Sequence, residues 1–187
     1  MKKLLTFLAV VTLCLAMGGI ARADLVVNGD FATGNIAGWT FVRAASGSDF
    51  FVGAPNPANG FAYAAWFGAL YSFDDTLYQS FADTPGAPYT VSFILAHNST
   101  DAQNDFQAYW DGTQLLNLVN AATFGWTAYS FPVVGTGSDT ITFAGREDPS
   151  WLQLDNVSVD PIPVPPTLVL LGSGLLGLAG WRRSRKG

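Results

Sequence analysis

Apolar and polar residues alternate over short stretches through most of the chain, with the period of a β-strand. Tyr89–Leu95 alternates first and then becomes fully apolar, as expected of a strand with both faces buried. Asp105–Trp110 and Gln114–Leu118 flank a short glycine-containing turn, Asp111-Gly112-Thr113, and predict a hairpin. The other predicted strands are Trp39–Arg43, Phe61–Phe67, Leu77–Phe81, Trp126–Val134, Asp139–Phe143 and Trp151–Val159.

The residues between these stretches favour the same fold class. Gly, Pro, Asn and Asp separate eight or nine short predicted strands, and Asn56–Gly60 has the turn residues of a loop. The last predicted strand changes phase near Asp155-Asn156, where the apolar positions pass from even to odd numbers, so we expect a β-bulge there. We therefore predict an all-β jelly-roll β-sandwich over residues 24–160, with no convincing amphipathic helix.

The first 23 residues have the pattern of an export signal peptide. Lys2-Lys3 is a short basic region, Leu4–Ile20 is apolar, and Ala21-Arg22-Ala23 has the small-x-small pattern of a signal peptidase site. Cys14 raises a lipoprotein signal as an alternative, but the residue before it is not small. Cleavage before Asp24 would remove this only cysteine, so we expect no disulfide in the exported domain.

A second apolar run, residues 167–181, is followed directly by a basic tail, residues 182–186. Its fifteen residues are marginal for a membrane-spanning helix, which usually needs about 17–25 residues. The basic tail predicts that the C-terminus stays in the cytoplasm while the acidic domain lies outside. A eukaryotic lipid-anchor signal lacks terminal arginines, and four glycines disfavour a buried core helix. We therefore predict a single transmembrane helix.

The prolines before this run carry a close family resemblance. Ile162-Pro163-Val164-Pro165-Pro166-Thr167, the Leu/Gly-rich run and Arg182-Arg183 together resemble the PEP-CTERM sorting signal of Gram-negative bacteria. The proline segment is similar to the VPLPxT-like variant, because no glutamate lies between its prolines. The resemblance places the sorting signal at residues 161–187 and implies an exosortase-type sorting protease as partner. Proline keeps such a segment extended, so a protease can reach its backbone.

These two ends predict where the protein goes. We expect export across the inner membrane, a transient single-pass stage with the C-terminus in the cytoplasm, and then the cell surface or extracellular matrix. Signal peptidase and the sorting protease are the expected processing partners.

Charged residues are few and unevenly placed. Residues 24–160 contain all 14 acidic residues and only two basic ones, Arg43 and Arg146, so the formal charge of this domain is −12. The negative electrostatic potential of this domain repels phosphate groups and excludes nucleic acid as a partner, while it attracts divalent cations.

The predicted sandwich also resembles a fold family. Five segments in order are similar to the galactose-binding-like jelly rolls that include many carbohydrate-binding modules: Asn28–Phe31, Gly38-Trp39, Leu77–Phe81, Thr84–Phe93 and Leu154–Val159. The resemblance implies a structural calcium that joins the first and last strand regions, with Asp30 and Asp155 at the matching positions. This chain has Ala32 where the family often has a carboxylate. The alternative is that both aspartates bond backbone amides at a turn and a bulge. No cofactor is otherwise required.

Aromatic side chains are the candidate contacts for a sugar, because sugar faces stack on rings while nearby polar groups bond the hydroxyls. Tyr109 and Trp110 are neighbours in a predicted strand, so they point to opposite faces and one of them should be exposed. Trp151 follows Asp148-Pro149-Ser150 and lies near a predicted loop. We take these three as the ligand-binding candidates and expect most other aromatic residues in the core.

Catalytic motifs are not found. His97 is the only histidine, which excludes a multi-histidine zinc site, and we expect it to hydrogen-bond at a strand end. The sequence has no G-x-S-x-G motif and no phosphate-binding glycine loop. We predict a protein that is not an enzyme. A glycoside-degrading enzyme, which needs only two carboxylates, is the weaker alternative.

Two functions therefore fit the sequence. The first is a glycan-binding module that is displayed at the surface or released into extracellular polysaccharide. The second is a structural or adhesive matrix protein with no sugar site. Exposed aromatic residues beside Asn or Asp favour the first, and aromatic residues that are all buried favour the second.

Overall fold

The computed structural model describes residues 24–45, 47–54, 62–70, 72–99 and 103–163. In these residues the chain forms ten β-strands and no helix. The strands are β1 (Thr40–Val42), β2 (Phe51–Gly53), β3 (Ala64–Phe67), β4 (Asp75–Ala82), β5 (Pro88–His97), β6 (Asp105–Trp110), β7 (Thr113–Val119), β8 (Phe124–Val134), β9 (Ser138–Arg146) and β10 (Leu152–Pro161).

The strands form two five-stranded sheets, in which all pairs are antiparallel. Sheet I has the order β1-β4-β9-β6-β7, and sheet II has the order β2-β3-β10-β5-β8. Alternation along each strand buries one face, and the two buried faces pack against each other as a sandwich. The predicted all-β sandwich is confirmed. Residues Ala23–Pro161 form one compact unit.

Phenylalanine rings from both sheets meet at the centre of the sandwich. Phe93 of β5 lies 5.1 Å from Phe143 of β9, and Phe106 of β6 lies 6.0 Å from Phe143, measured between ring centroids. All three are at most 1% exposed. Full burial of one such side chain stabilises the fold by about 1.5–3 kcal/mol, so this cluster is a main source of stability.

The predicted hairpin and bulge are both found. β6 pairs with β7 through a turn in which Asp111 and Gly112 have φ of 46° and 74°, the left-handed conformation that a two-residue hairpin turn requires. The register between β10 and β5 shifts between Asp155 and Ser158. Sequence reasoning did not identify β2, because three residues are too few to show a period.

The N-terminal segment of the domain lies against its last strand. Leu25 N–H donates to Val159 O at 3.1 Å, and Val157 N–H donates to Gly29 O at 2.9 Å. A Cβ at Gly29 would lie 1.9 Å from Val157 O, so only glycine permits this approach. These contacts bring the residues near Asp30 close to the bulge of β10.

The predicted signal peptide and sorting helix lie outside the described residues. Among the residues that are described, no helix is both long and apolar enough to cross a membrane.

Candidate functional site

A straight row of side chains crosses all five strands on the outer face of sheet I. Direct register partners link Thr40 to Tyr78, Tyr78 to Thr142, Thr142 to Tyr109, and Tyr109 to Gln114. Register partners point to the same face, and in β4, β6 and β9 the residues on either side of the row are buried. These five residues, called here the tyrosine row, therefore face solvent.

The tyrosine row combines two phenol rings with amide and hydroxyl groups. Tyr78 and Tyr109 are separated by one strand, so their backbones lie about 10 Å apart. Gln114 Nε2 donates to Tyr109 Oη at 3.3 Å, which orients that ring. A second row on the same face adds Gln107 and Asn117. Such a surface offers apolar ring faces beside hydrogen-bonding groups.

Tyr109 and Trp110 point to opposite faces, and the tryptophan is the buried one. Trp110 is 6% exposed, and its indole Nε1 donates to Val134 O at 3.3 Å. Its ring packs against Phe81, with centroids 5.8 Å apart. The interpretation of Trp110 as a sugar contact does not fit this burial, since no ring face is open to a ligand. Tyr109 is half-buried and lies in the tyrosine row.

Trp151 belongs to a cluster of aromatic residues on the outer face of sheet II. Phe51 and Trp66 are register partners of β2 and β3, and their rings stack with centroids 5.2 Å apart at 15°. The Trp151 ring meets them edge-on, at 5.9 Å from Phe51 and 6.2 Å from Trp66. Phe51 is 42% exposed. We call these three residues and Asp49 the aromatic patch.

Hydrogen bonds and a glycine fix the rings of the aromatic patch. Trp66 Nε1 donates to Gly53 O at 3.2 Å, and Trp151 Nε1 donates to Asp49 O at 3.2 Å. A Cβ at Gly68 would lie 2.6 Å from Trp151 Cδ1 and Nε1, so the indole lies directly on that glycine. The sequence predicted Trp151 as a candidate from its loop position, but it did not indicate Phe51, whose strand is too short to show a period.

Asp30 and Asp155 are close enough to interact electrostatically. Asp155 is 1% exposed, and burial raises its pKa to about 7; the negative charge of Asp30 acts in the same direction. Asp155 Oδ1 accepts Asn156 N–H at 2.7 Å, and Asp30 Oδ1 accepts Ala32 N–H at 3.1 Å. Both aspartates thus have the backbone-capping contacts of the alternative interpretation.

An open cleft of about 490 Å³ is lined by Asp30 together with Asp24, Asn28 and Asn156, whereas the buried Asp155 is not among its lining residues. Within the described part of the chain, no group of three or more His, Cys, Asp or Glu side chains is placed to hold a metal ion. A Ca²⁺ ion here would therefore need backbone or amide oxygens in addition to the two carboxylates.

His97 is buried and bonded within the core. It ends β5 and is 0% exposed, and its Nε2 lies 2.9 Å from Glu147 Oε2. Its Nδ1 lies 3.4 Å from Ala122 O. A general base must reach its substrate, and this imidazole does not reach the surface. The geometry favours the predicted hydrogen-bonding role at the strand end.

The C-terminal segment matches a known sorting signal. Residues 161–186 match the family described as the PEP-CTERM protein-sorting motif. Of the predicted motif residues, Ile162 and Pro163 are described by the structure, and Val164, Pro165, Pro166, Thr167, Arg182 and Arg183 lie outside the described residues. No curated protein sequence matches the chain.

Solved structures resemble the sandwich at low sequence identity. TmCBM61 in complex with β-1,4-galactotriose is 20% identical with a TM-score of 0.54, over 75% of this chain and 100% of that one. The K3 cleaved adhesin domain of Lys-gingipain from Porphyromonas gingivalis is 20% identical with a TM-score of 0.54, over 74% and 99%.

The enzymatically active domain of bacteriophage CBA120 tailspike protein 4 is 17% identical with a TM-score of 0.56, over 74% of this chain. The match covers only 21% of the tailspike chain. TmCBM61 is a carbohydrate-binding module by its name, and so is a CBM4 structure that is 17% identical with a TM-score of 0.50, over 73% of this chain and 99% of that one. The chain therefore carries a PEP-CTERM sorting motif, which implies exosortase-mediated export and sorting to the cell surface, joined to a β-sandwich with the fold of carbohydrate-binding modules.

Proposed function

We propose that the exported domain binds a glycan chain along the tyrosine row. The observation that carries this proposal is the register of Tyr78, Thr142 and Tyr109 in one straight line on a solvent-facing sheet. A chain lying across the strands would stack sugar rings on the two phenols, whose spacing of about 10 Å is close to the length of two pyranose units. Thr142 and Gln114 would bond the hydroxyls.

The charge of the domain favours a neutral glycan. Residues 24–160 carry a formal charge of −12. Arg146, at the edge of the tyrosine face, contacts Asp74 at 2.7 Å and Asp105 at 2.9 Å, so its charge is already compensated. A uronic acid polymer would be repelled by this field, whereas a neutral chain would not. The structural similarity to TmCBM61, whose structure contains a galactotriose, supports a sugar ligand.

The test is affinity electrophoresis of residues 24–161 through gels that contain galactan, xylan, a β-glucan or the producing organism's exopolysaccharide. This fragment contains every described strand and the whole buried core. Tyr78→Ala and Tyr109→Ala should each weaken binding about two- to tenfold, since one aromatic contact contributes about 0.5–1.5 kcal/mol. Tyr63→Ala, an exposed tyrosine outside the row, is the matched control.

Two results would count against the proposal. If the double variant Tyr78→Ala/Tyr109→Ala binds as the wild type does, the tyrosine row is not the site. If the folded wild type binds no glycan, the protein is better explained as a structural or adhesive matrix protein with no sugar site. Both glycan binding and the absence of binding fit a protein without catalysis. Release of sugar during these experiments would instead favour the glycoside-degrading enzyme.

We also propose that Ca²⁺ binds between Asp30 and Asp155. A divalent cation would offset the negative charge of Asp30, which raises the pKa of Asp155, and would join the N-terminal segment to β10. Its role would be structural. Asn28 and Asn156, which line the cleft, could supply amide or backbone oxygens.

The finer course of sorting is also a proposal. It comprises cleavage before Asp24 by signal peptidase, a transient transmembrane helix at residues 167–181, and a basic tail that stays in the cytoplasm. The match of residues 161–186 to the sorting motif supports the C-terminal part of this course. Cleavage before Asp24 is supported only by the small-x-small pattern of Ala21-Arg22-Ala23.

A further inference from the structure

We propose that the aromatic patch is a second glycan-binding site, so that one molecule links two polysaccharide chains. The linking role rests on the function proposed for the tyrosine row. The patch itself rests on a separate observation, the ring cluster of the exposed Phe51 with the half-buried Trp66 and Trp151. Trp151 Nε1 donates to the backbone oxygen of the exposed Asp49.

The patch is built before any ligand arrives. Both indole N–H groups are bonded to backbone carbonyls, and Gly68 supports the Trp151 ring from below. Rings held in this way lose little side-chain entropy when a ligand binds. The exposed Phe51 face would supply the apolar contact. Asp49 is exposed, and its Cβ is 3.5 Å from the position that a Cβ at Gly68 would take, so its carboxylate would supply an acceptor for sugar hydroxyls, the pairing that an amphipathic pyranose needs.

The size of the patch indicates a sugar unit and not a protein. An aromatic side chain has about 150–250 Å² of surface. With Phe51 at 42% exposure and the two tryptophans half-buried, the patch presents at most a few hundred Å². A stable protein interface needs about 800 Å² from each partner. One or two sugar rings would cover the patch fully.

The two surfaces face away from each other. The tyrosine row lies on the outer face of sheet I and the patch on the outer face of sheet II, with the packed core between them. Packed sheets lie about 10 Å apart, and the outer side chains add to that distance. A short oligosaccharide therefore cannot reach both surfaces, and a second chain can bind while the first is held. Two modest sites on one particle suffice to join polymers.

The test is light scattering of residues 24–161 mixed with a soluble neutral polysaccharide to which the wild type binds. The wild type should raise scattering strongly at intermediate protein-to-polymer ratios, and excess short oligosaccharide should reverse it. Phe51→Ala and Asp49→Ala should bind the polymer within about tenfold of the wild type by affinity electrophoresis. Their scattering should lack the strong rise at intermediate ratios and stay at the level of polymer with protein bound at one site. Phe73→Ala, which removes an exposed phenylalanine outside the patch, is the control.

Each outcome separates the two proposals. Undiminished scattering by Phe51→Ala, or wild-type binding with no rise in scattering, overturns the second site. Residual binding by Tyr78→Ala/Tyr109→Ala that Phe51→Ala then abolishes supports the patch on its own. If neither surface contributes to binding, both proposals are overturned. Sedimentation of the protein alone should show a monomer, because a dimer with one site per chain would also join polymers and would be insensitive to Phe51→Ala.

Discussion

Asp155→Asn should stabilise the domain at pH 8 when calcium is absent. In the folded state the pKa of Asp155 is about 7, mainly because the carboxyl is buried, whereas the ordinary value is 3.8. At a pH between these two pKa values, Asp155 holds a proton in the folded protein that it has released in the unfolded chain. The free energy of unfolding therefore falls as pH rises through this interval, and the loss approaches roughly 4 kcal/mol above pH 7.

The assay is urea unfolding of the wild type and Asp155→Asn from pH 4.5 to 8.5 in metal-free buffer. The wild type should lose stability toward high pH, and the variant should lose less, because an asparagine carries no charge and its amide oxygen can still accept Asn156 N–H. The carboxyls of Asp75 and Asp105, whose pKa values burial also raises, titrate in both proteins, so the difference between the two profiles isolates Asp155. Asp160→Asn makes the same chemical change at an exposed residue of the same strand. It should leave the change of the free energy of unfolding with pH as it is in the wild type. Asp30→Asn should reduce the pH dependence of the wild type's free energy of unfolding in part, because the charge of Asp30 contributes to the raised pKa of Asp155.

The same unfolding measurement with Ca²⁺ added tests the proposed calcium site. If Ca²⁺ binds between Asp30 and Asp155, millimolar Ca²⁺ at pH 8 should stabilise the wild type and leave Asp155→Asn unaffected. If the wild type is equally stable at pH 5 and pH 8 without metal, and Asp155→Asn is destabilised at both, then Asp155 acts only as a backbone cap and the electrostatic reasoning is wrong.

Two further substitutions test the packing. Trp110→Ala should lower the free energy of unfolding by about 3–5 kcal/mol in urea at pH 7, because it empties a core position, and a loss near zero would contradict its burial. Gly29→Ala should cost about 1–3 kcal/mol, since its Cβ would lie 1.9 Å from Val157 O. Gly125→Ala, whose Cβ would meet nothing within 4 Å, is its control and should stay within about 0.5 kcal/mol of the wild type.

Local patterns were enough for much of the fold. The hairpin at Asp111-Gly112 followed from turn chemistry between two alternating stretches, and the bulge at Asp155 followed from a change of phase. Both depend on residues close in sequence. The same is true of the sorting motif at residues 161–186, which is a contiguous segment with its own composition.

Local sequence patterns did not predict the two candidate surfaces, the tyrosine row and the aromatic patch. Alternation shows that Tyr109 and Trp110 point to opposite faces, but it does not say which face is the core. That choice depends on what packs against the strand, and here Phe81 and Val134 cover Trp110.

The sequence by itself determined the fold class, the turn, the bulge and the destination of the protein, because each is encoded within a few neighbouring residues. Only the tertiary structure decided that Tyr78 lines up with Tyr109, and that Phe51 and Trp66 join Trp151. These residues are far apart in the chain and meet through strand order and register. Strand order is set by the packing of the whole sandwich, so no local segment specifies it.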